Sequence, residues 1–367
     1  MKIRTRIAFA IISILVVGVT GLVFLFQIDR FTPNSNSDSS ETLSDQVHAE
    51  KPNKSDVPLA KVAAIATRSA FSCSADVDVN YLELDVVVSN LSQSRNPEHL
   101  LMGALYGQES TDESGLHRMV RALRSDPGNR LILWNLLQSC SQFPDAPLCL
   151  NHEIEDRAIE VDGSNGQLWS RIAGYRVERG DMQGALEALN KAVVSPRFSD
   201  YQMEHMGLFE RGLAAAGNTP YRDRIVEAIG MQVALVSNEL HITNGCTSMA
   251  RESAEWLLQC LRLGERLEGE GNSLYSIGVG QNLQKKMYLV SGDNEKEALV
   301  VERMDTTRQY MTKGISEDGQ VLLWRDDQVL AQYISEWATY GQIRAFSFLS
   351  NEVERLKNLD GYDPCRL

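Results

Sequence analysis

What this sequence lacks rules out several chemistries. It contains no H-E-x-x-H and no C-x-x-C, so neither the zinc-hydrolase helix nor a dithiol redox motif is present. It has no G-x-S-x-G nucleophile elbow. Gly278-Val-Gly280 lacks the third glycine and a preceding strand, so it is not a dinucleotide loop. The six histidines are scattered. His152 and Asp156 are spaced to share a helix face, but acidic residues near a helix start are commonly there because the dipole favours them. The expectation is a chain that is not an enzyme, with no cofactor and no metal.

Positive charge is also short. Against 36 Lys and Arg stand 49 Asp and Glu, a formal net charge of -13. Lys2, Arg4 and Arg6 lie at the very start, so the remainder is more acidic still. This argues against nucleic acid or anionic lipid as the main partner. Acidic runs such as Glu153 to Asp156 and Glu265 to Glu270 read as solvated helix faces.

One stretch has no charge at all. Ile7 to Phe26 is predominantly apolar, with Ser13 and Thr20 its only polar side chains, and as a helix such a run spans ~30 Å, the thickness of a hydrocarbon core. The basic residues before it place residues 1–6 in the cytoplasm as a short tail, residues 7–28 as a transmembrane signal anchor, and the rest outside the cytoplasm. The rival is a cleaved signal peptide. Its apolar region would be unusually long, and neither an A-x-A site nor a lipid-acceptor cysteine follows, which favours an uncleaved anchor. Residues 29–60 are rich in Ser, Asn, Asp and Pro and nearly empty of apolar residues, so they read as a disordered linker. The expected location is the inner membrane, single-pass, with the bulk of the chain in the periplasm or its equivalent.

All six cysteines follow the anchor, and an even number there fits an oxidising compartment. Cys140 and Cys149 are the best pair. They flank Ser-Gln-Phe-Pro-Asp-Ala-Pro-Leu, whose prolines stop a helix and shape a loop. Two buried thiols are the alternative. Cys246 and Cys260 would be about 21 Å apart on one continuous helix, so they pair only if the chain folds back before Ala254. Otherwise Cys73 or Cys365 is a partner, and the connectivity of these four cysteines is left open.

Residues 96–200 repeat with a period of about 34 residues. Met102-Gly103, Tyr106, Ala122 and Asp126-Pro127 form one copy. Trp134, Leu137, Ala158 and Asp162-Gly163 form the second, in which Leu150 and Ile154 are shifted in register. Trp169, Ile172, Ala173, Ala185, Leu189, Ala192 and Pro196 form the third. Met206-Gly207 marks a weaker fourth. Apolar residues recur three and four apart in two stretches per copy, and small residues at Gly103, Ala173, Ala185 and Ala192 let two helices approach. These residue types at this spacing resemble the tetratricopeptide repeat.

The resemblance implies an all-α chain: a helical-hairpin solenoid over residues 61–230, with a helical C-terminal domain over 231–367. In that second part, helices are expected over Ser253 to Leu267, Ser273 to Val290, Asn294 to Thr312 and Gln328 to Lys357, the last with a break at Gly341. It also implies that each copy's first helix lines a binding face. Asn135, Ser139, Gln142, Ser170, Val177 and Glu178 lie off the Trp-Leu/Ile stripe and are the candidate protein-binding residues. They are neutral or acidic, unlike the basic clamp some members use for carboxylate tails. The expected function is a membrane-tethered interaction scaffold or adaptor that binds a protein or peptide of the envelope. Two alternatives remain. One is an enzyme or small-ligand domain within 231–367, which a pocket joining Trp256, Trp324 or Trp337 to polar groups would favour. The other is a structural brace without a groove ligand, which would show as a concave face filled by the C-terminal helices.

Overall fold

Local signals set most helix limits. Asn129 accepts from the backbone N–H groups of Leu131 and Ile132, Asp181 from Gly184, Ser253 from Trp256, Ser273 from Ser276 and Asp293 from Lys296. Each short polar side chain satisfies a donor that the first helical turn leaves without a partner. At Gly341 the backbone takes φ +87°, which separates the last two long helices.

The computed structural model describes residues 71–367, apart from 72, 74–83, 107–112, 144, 151–152, 218, 236–239 and 367. The tail, anchor and linker expected over residues 1–60 lie outside the described residues, as does His152. Among the described residues no helix is long and apolar enough to cross a membrane.

The described chain is all-helical. Its first helices are α1 (Leu84–Ser92), α2 (Pro97–Tyr106), α3 (Glu113–Ser125), α4 (Arg130–Gln142), α5 (Pro147–Leu150), α6 (Glu153–Asp162), α7 (Gly166–Glu178) and α8 (Met182–Val194). Helices α2 and α3, α4 and α6, and α7 and α8 pack as pairs. The expected small contact residues are inside: Gly103 is buried, and Ala122, Ala158, Ala173, Ala185 and Ala192 are at most 1% exposed. Trp134 and Trp169 are core residues as well. The short α5 interposes one turn between α4 and α6, where the sequence pattern is expected to shift register at Leu150 and Ile154.

The chain continues through α9 (Gln202–Ala216), α10 (Tyr221–Leu235), α11 (Leu240–Met249), α12 (Ala254–Glu270), α13 (Leu274–Ser291) and α14 (Asn294–Lys313). It ends with α15 (Glu317–Arg325), α16 (Asp327–Tyr340), α17 (Gln342–Lys357) and a 3-10 turn, Pro364–Arg366. Gly278 and Gly280 lie inside α13, buried at a helix crossing. The amphipathic faces of α13, α15, α16 and α17 share one core around Leu322, Tyr333, Trp337, Phe346 and Leu349.

The cysteines form three pairs at bonding distance. Cys140 meets Cys149 with Cα atoms 5.3 Å apart, joining α4 to α5. The chain does fold back before Ala254, and Cys246 of α11 meets Cys260 of α12 at 5.8 Å. Cys73 meets Cys365 across 292 residues of sequence.

Candidate functional site

The six candidate positions lie on two helices. Asn135, Ser139 and Gln142 are on α4; Ser170, Val177 and Glu178 are on α7. The Gln142 side chain lies outside the described atoms. Of the rest, Glu178 is exposed and Val177 half-buried. Asn135, Ser139 and Ser170 are 2%, 5% and 5% exposed. The expectation that these three line an open face is therefore corrected: they are interior.

For Asn135 the physical reason is α9. Helical period shows which residues share a stripe, but not what later segment covers it. Helix α9 packs on α1 and α2 and reaches Asn135 of α4 through His205. The Asn135 Nδ2 group donates to the Leu131 carbonyl at 2.7 Å and reaches His205 Nε2 of α9 at 2.8 Å. On its other side, His205 Nδ1 lies 2.8 Å from the Tyr201 carbonyl. A carbonyl only accepts, so Nδ1 carries the proton and Nε2 accepts from the Asn135 amide. Full burial holds His205 down to about 4; the Arg171 guanidinium adds to this, and the Tyr201 carbonyl opposes it.

Aromatic and charged contacts extend the seat. Tyr201 meets Trp134 edge-on, with centroids 5.2 Å apart, and Arg171 stacks 3.9 Å over the other ring of this pair, Trp134. Phe209 meets Tyr106 of α2 edge-on at 5.6 Å. Arg211 pairs with Glu98 at 3.1 Å on the rim. Between them Gly212 lies so close to α2 that a Cβ would fall 1.8 Å from the Met102 sulfur. Further along, Val177 of α7 packs on Gly245 of α11. Ser139 faces elsewhere, with its hydroxyl 3.7 Å from the Met119 sulfur of α3. Helix α4 is thus enclosed on several sides.

A buried clasp steers the chain into this path. Asp162, at the end of α6, accepts from Arg197, from the Tyr201 hydroxyl and, at 2.9 Å, from Asn165 Nδ2. Asn165 also ties the connecting segment in both directions, donating to the Ser199 carbonyl at 3.0 Å and accepting from its N–H at 2.9 Å. Tyr201 takes φ +57°, the left-handed region, directly before α9. Burial, and after it the Asp162 carboxylate, push the Tyr201 hydroxyl up, so it stays a proton donor to that carboxylate. None of Arg197, Tyr201 or His205 stands out in the sequence. The decisive partners of Arg197, Tyr201 and His205 lie 35, 39 and 70 residues away, whereas Asn165 also carries a local signal as the N-cap of α7.

Residues 231–367 carry a second polar cluster. Glu268 of α12 accepts from Arg303 Nε at 2.7 Å and Nη2 at 3.0 Å, from Gln281 at 3.0 Å and from Gln284 at 2.7 Å. Burial alone would raise this carboxyl; the bonds from Arg303, Gln281 and Gln284 reverse that and hold it below the usual carboxylate range. The cluster forms because α12 and α13 cross closely: a Cβ on Gly280 would lie 2.5 Å from the Gly264 carbonyl. The acid is fully engaged by donors on α13 and α14, which suits holding three helices together. Trp256 and Trp337 are 3% and 6% exposed and belong to packed cores.

No family model, curated protein or solved structure matches this chain.

Proposed function

We propose that this chain is a tetratricopeptide-like scaffold of the cell envelope that works as a brace. It is held to the membrane through residues 7–28, acts without turnover, and meets its protein partner through outer helix surfaces. The observation that carries the reading is the occupied repeat face: α9 buries Asn135 and closes over Trp134 with Tyr201. A groove binder needs that face open. A brace gains from filling it, because the buried area stiffens the array. The periodic helix pairs support the repeat assignment. The charge-free run behind a basic start supports the anchor, and three cysteine pairs support an oxidising compartment.

Outer positions where large apolar side chains meet water are where a partner gains most. Val194, Leu258 and Leu289 are 75%, 46% and 54% exposed. Photocrosslinking in membranes tests the reading, with the reactive residue placed at each of these three in turn and, for comparison, at Asn135. A discrete protein adduct from one of the outer positions and none from Asn135 is expected. An adduct from Asn135 alone would restore the groove reading. Turnover of a small substrate by residues 61–367 would replace both.

A further inference from the structure

We propose that the Cys73–Cys365 bond is a site of thiol–disulfide exchange, opened by a dithiol reductant while the other two bridges stay closed. The three pairs differ in what surrounds them. Cys140 and Cys149 are each 1% exposed, and Cys246 and Cys260 are each 0% exposed. Cys73 and Cys365 are only partly buried. Exchange requires a thiolate to reach a sulfur directly, so access sorts the bonds before any other property does.

Their settings differ as well. Cys140 lies within α4, and Cys246 and Cys260 lie within α11 and α12, so exposing those sulfurs means breaking packed helices. Cys365 lies in the terminal 3-10 turn and Cys73 in a bend, with no long helix to undo. The rings beside the bond, Phe71 and Tyr362, are themselves only partly buried. Phe71 meets the Tyr362 ring edge-on at 6.4 Å, and its N–H reaches Asp318 Oδ1 at 3.3 Å. Local opening at such a site is cheaper than opening a core helix.

The chemistry balances. A thiolate of the reductant attacks one sulfur of the bridge, the S–S bond breaks, and the other cysteine leaves as a thiolate that takes a proton. The second thiol of the reductant then attacks the mixed disulfide. This frees the second cysteine as a thiol and leaves the reductant as its own disulfide. The protein gains two electrons and two protons, both supplied by the dithiol. The covalent tie between the chain entering the helical body and the end of that body is then lost.

The test uses the full-length chain under non-denaturing conditions with dithiothreitol as the probe. Thiols are trapped by alkylation over time and located by peptide mapping. Cys73 and Cys365 should be labelled at least about tenfold faster than the other four, at a rate proportional to dithiothreitol, with helicity unchanged. Labelling of all six together at a rate independent of dithiothreitol would overturn the proposal, as would earlier opening of Cys140–Cys149. The C73S/C365S protein should keep its helicity and its two remaining bridges. Its failure to fold would also overturn the proposal, because the body would then depend on the bond.

Discussion

The His205 ring on α9 accepts the amide of Asn135 on α4 at 2.8 Å, across 70 residues of sequence and in the interior of the protein. This contact works only with a neutral ring, since protonation would set an N–H against an N–H. Above the ordinary value of 6.5 the ring is neutral in both the folded and the unfolded chain. Between 6.5 and about 4 the unfolded chain takes up a proton that the folded chain does not. Stability should therefore fall as the pH drops through that window and level off below it. A gap of that size corresponds to ~3 kcal/mol. Urea unfolding of the wild type and H205Q across pH 4 to 7.5 checks this. The variant should be weaker at neutral pH and should lose this part of the slope. Parallel curves for the two proteins would show that His205 does not titrate as described.

Gly212 decides how closely α9 approaches α2. Alanine in a helix normally gains ~1 kcal/mol over glycine, whereas overpacking costs about 1–3 kcal/mol. With Met102 in place, overpacking should win and G212A should be destabilised. In an M102A background the added methyl enters vacated space, and the same substitution should turn neutral or favourable. Chemical denaturation of the four proteins reads the coupling directly.

Ala173 is 0% exposed on α7. A tryptophan there should overpack the helix pair and lower stability by about 1–3 kcal/mol in thermal or urea unfolding. A neutral result would mean that the α7 contact is looser than its burial indicates.

Glu268 holds α12, α13 and α14 through one carboxylate. E268Q should lower stability by about 1–3 kcal/mol, because the Arg303 guanidinium loses its acceptor charge while staying half-buried. The folded-state carboxyl titrates below the unfolded one. Its contribution is thus present above the unfolded value and lost as the pH falls through the folded value. E268Q should therefore matter less in acid, and a pH series of unfolding midpoints shows whether it does.

Non-reducing peptide mapping should return Cys140 with Cys149, Cys246 with Cys260, and Cys73 with Cys365. Removing the first pair as C140S/C149S should cost about 2–3 kcal/mol, the scale for closing a short loop. For the anchor, a reporter active only in the cytoplasm should be silent when fused after Leu367.

The helices were legible because their signals are local. Periodicity located α7 and α8, and Ser253 and Ser273 marked helix starts that their side chains do cap. Gly341 announced the break between α16 and α17. The Cys140–Cys149 pair was legible for the same reason: the two cysteines flank one loop, 9 residues apart. Burial of Ala158, Ala173 and Ala192 followed from helix spacing within a repeat copy.

By itself, then, the sequence determined the all-helical class, the helix pairs and the residues packed between them, since hydrogen bonding and amphipathic spacing act over a few residues. Only the tertiary structure decided what lies on the repeat face and how the ends of the described chain meet. The α9 seat rests on Asn135–His205, Trp134–Tyr201 and Glu98–Arg211. The closure rests on Cys73–Cys365. Such contacts join segments tens to hundreds of residues apart. Their residue types are as common on a solvated face as in an interface, so which they become depends on where the Asp162 clasp and the left-handed Tyr201 turn the chain.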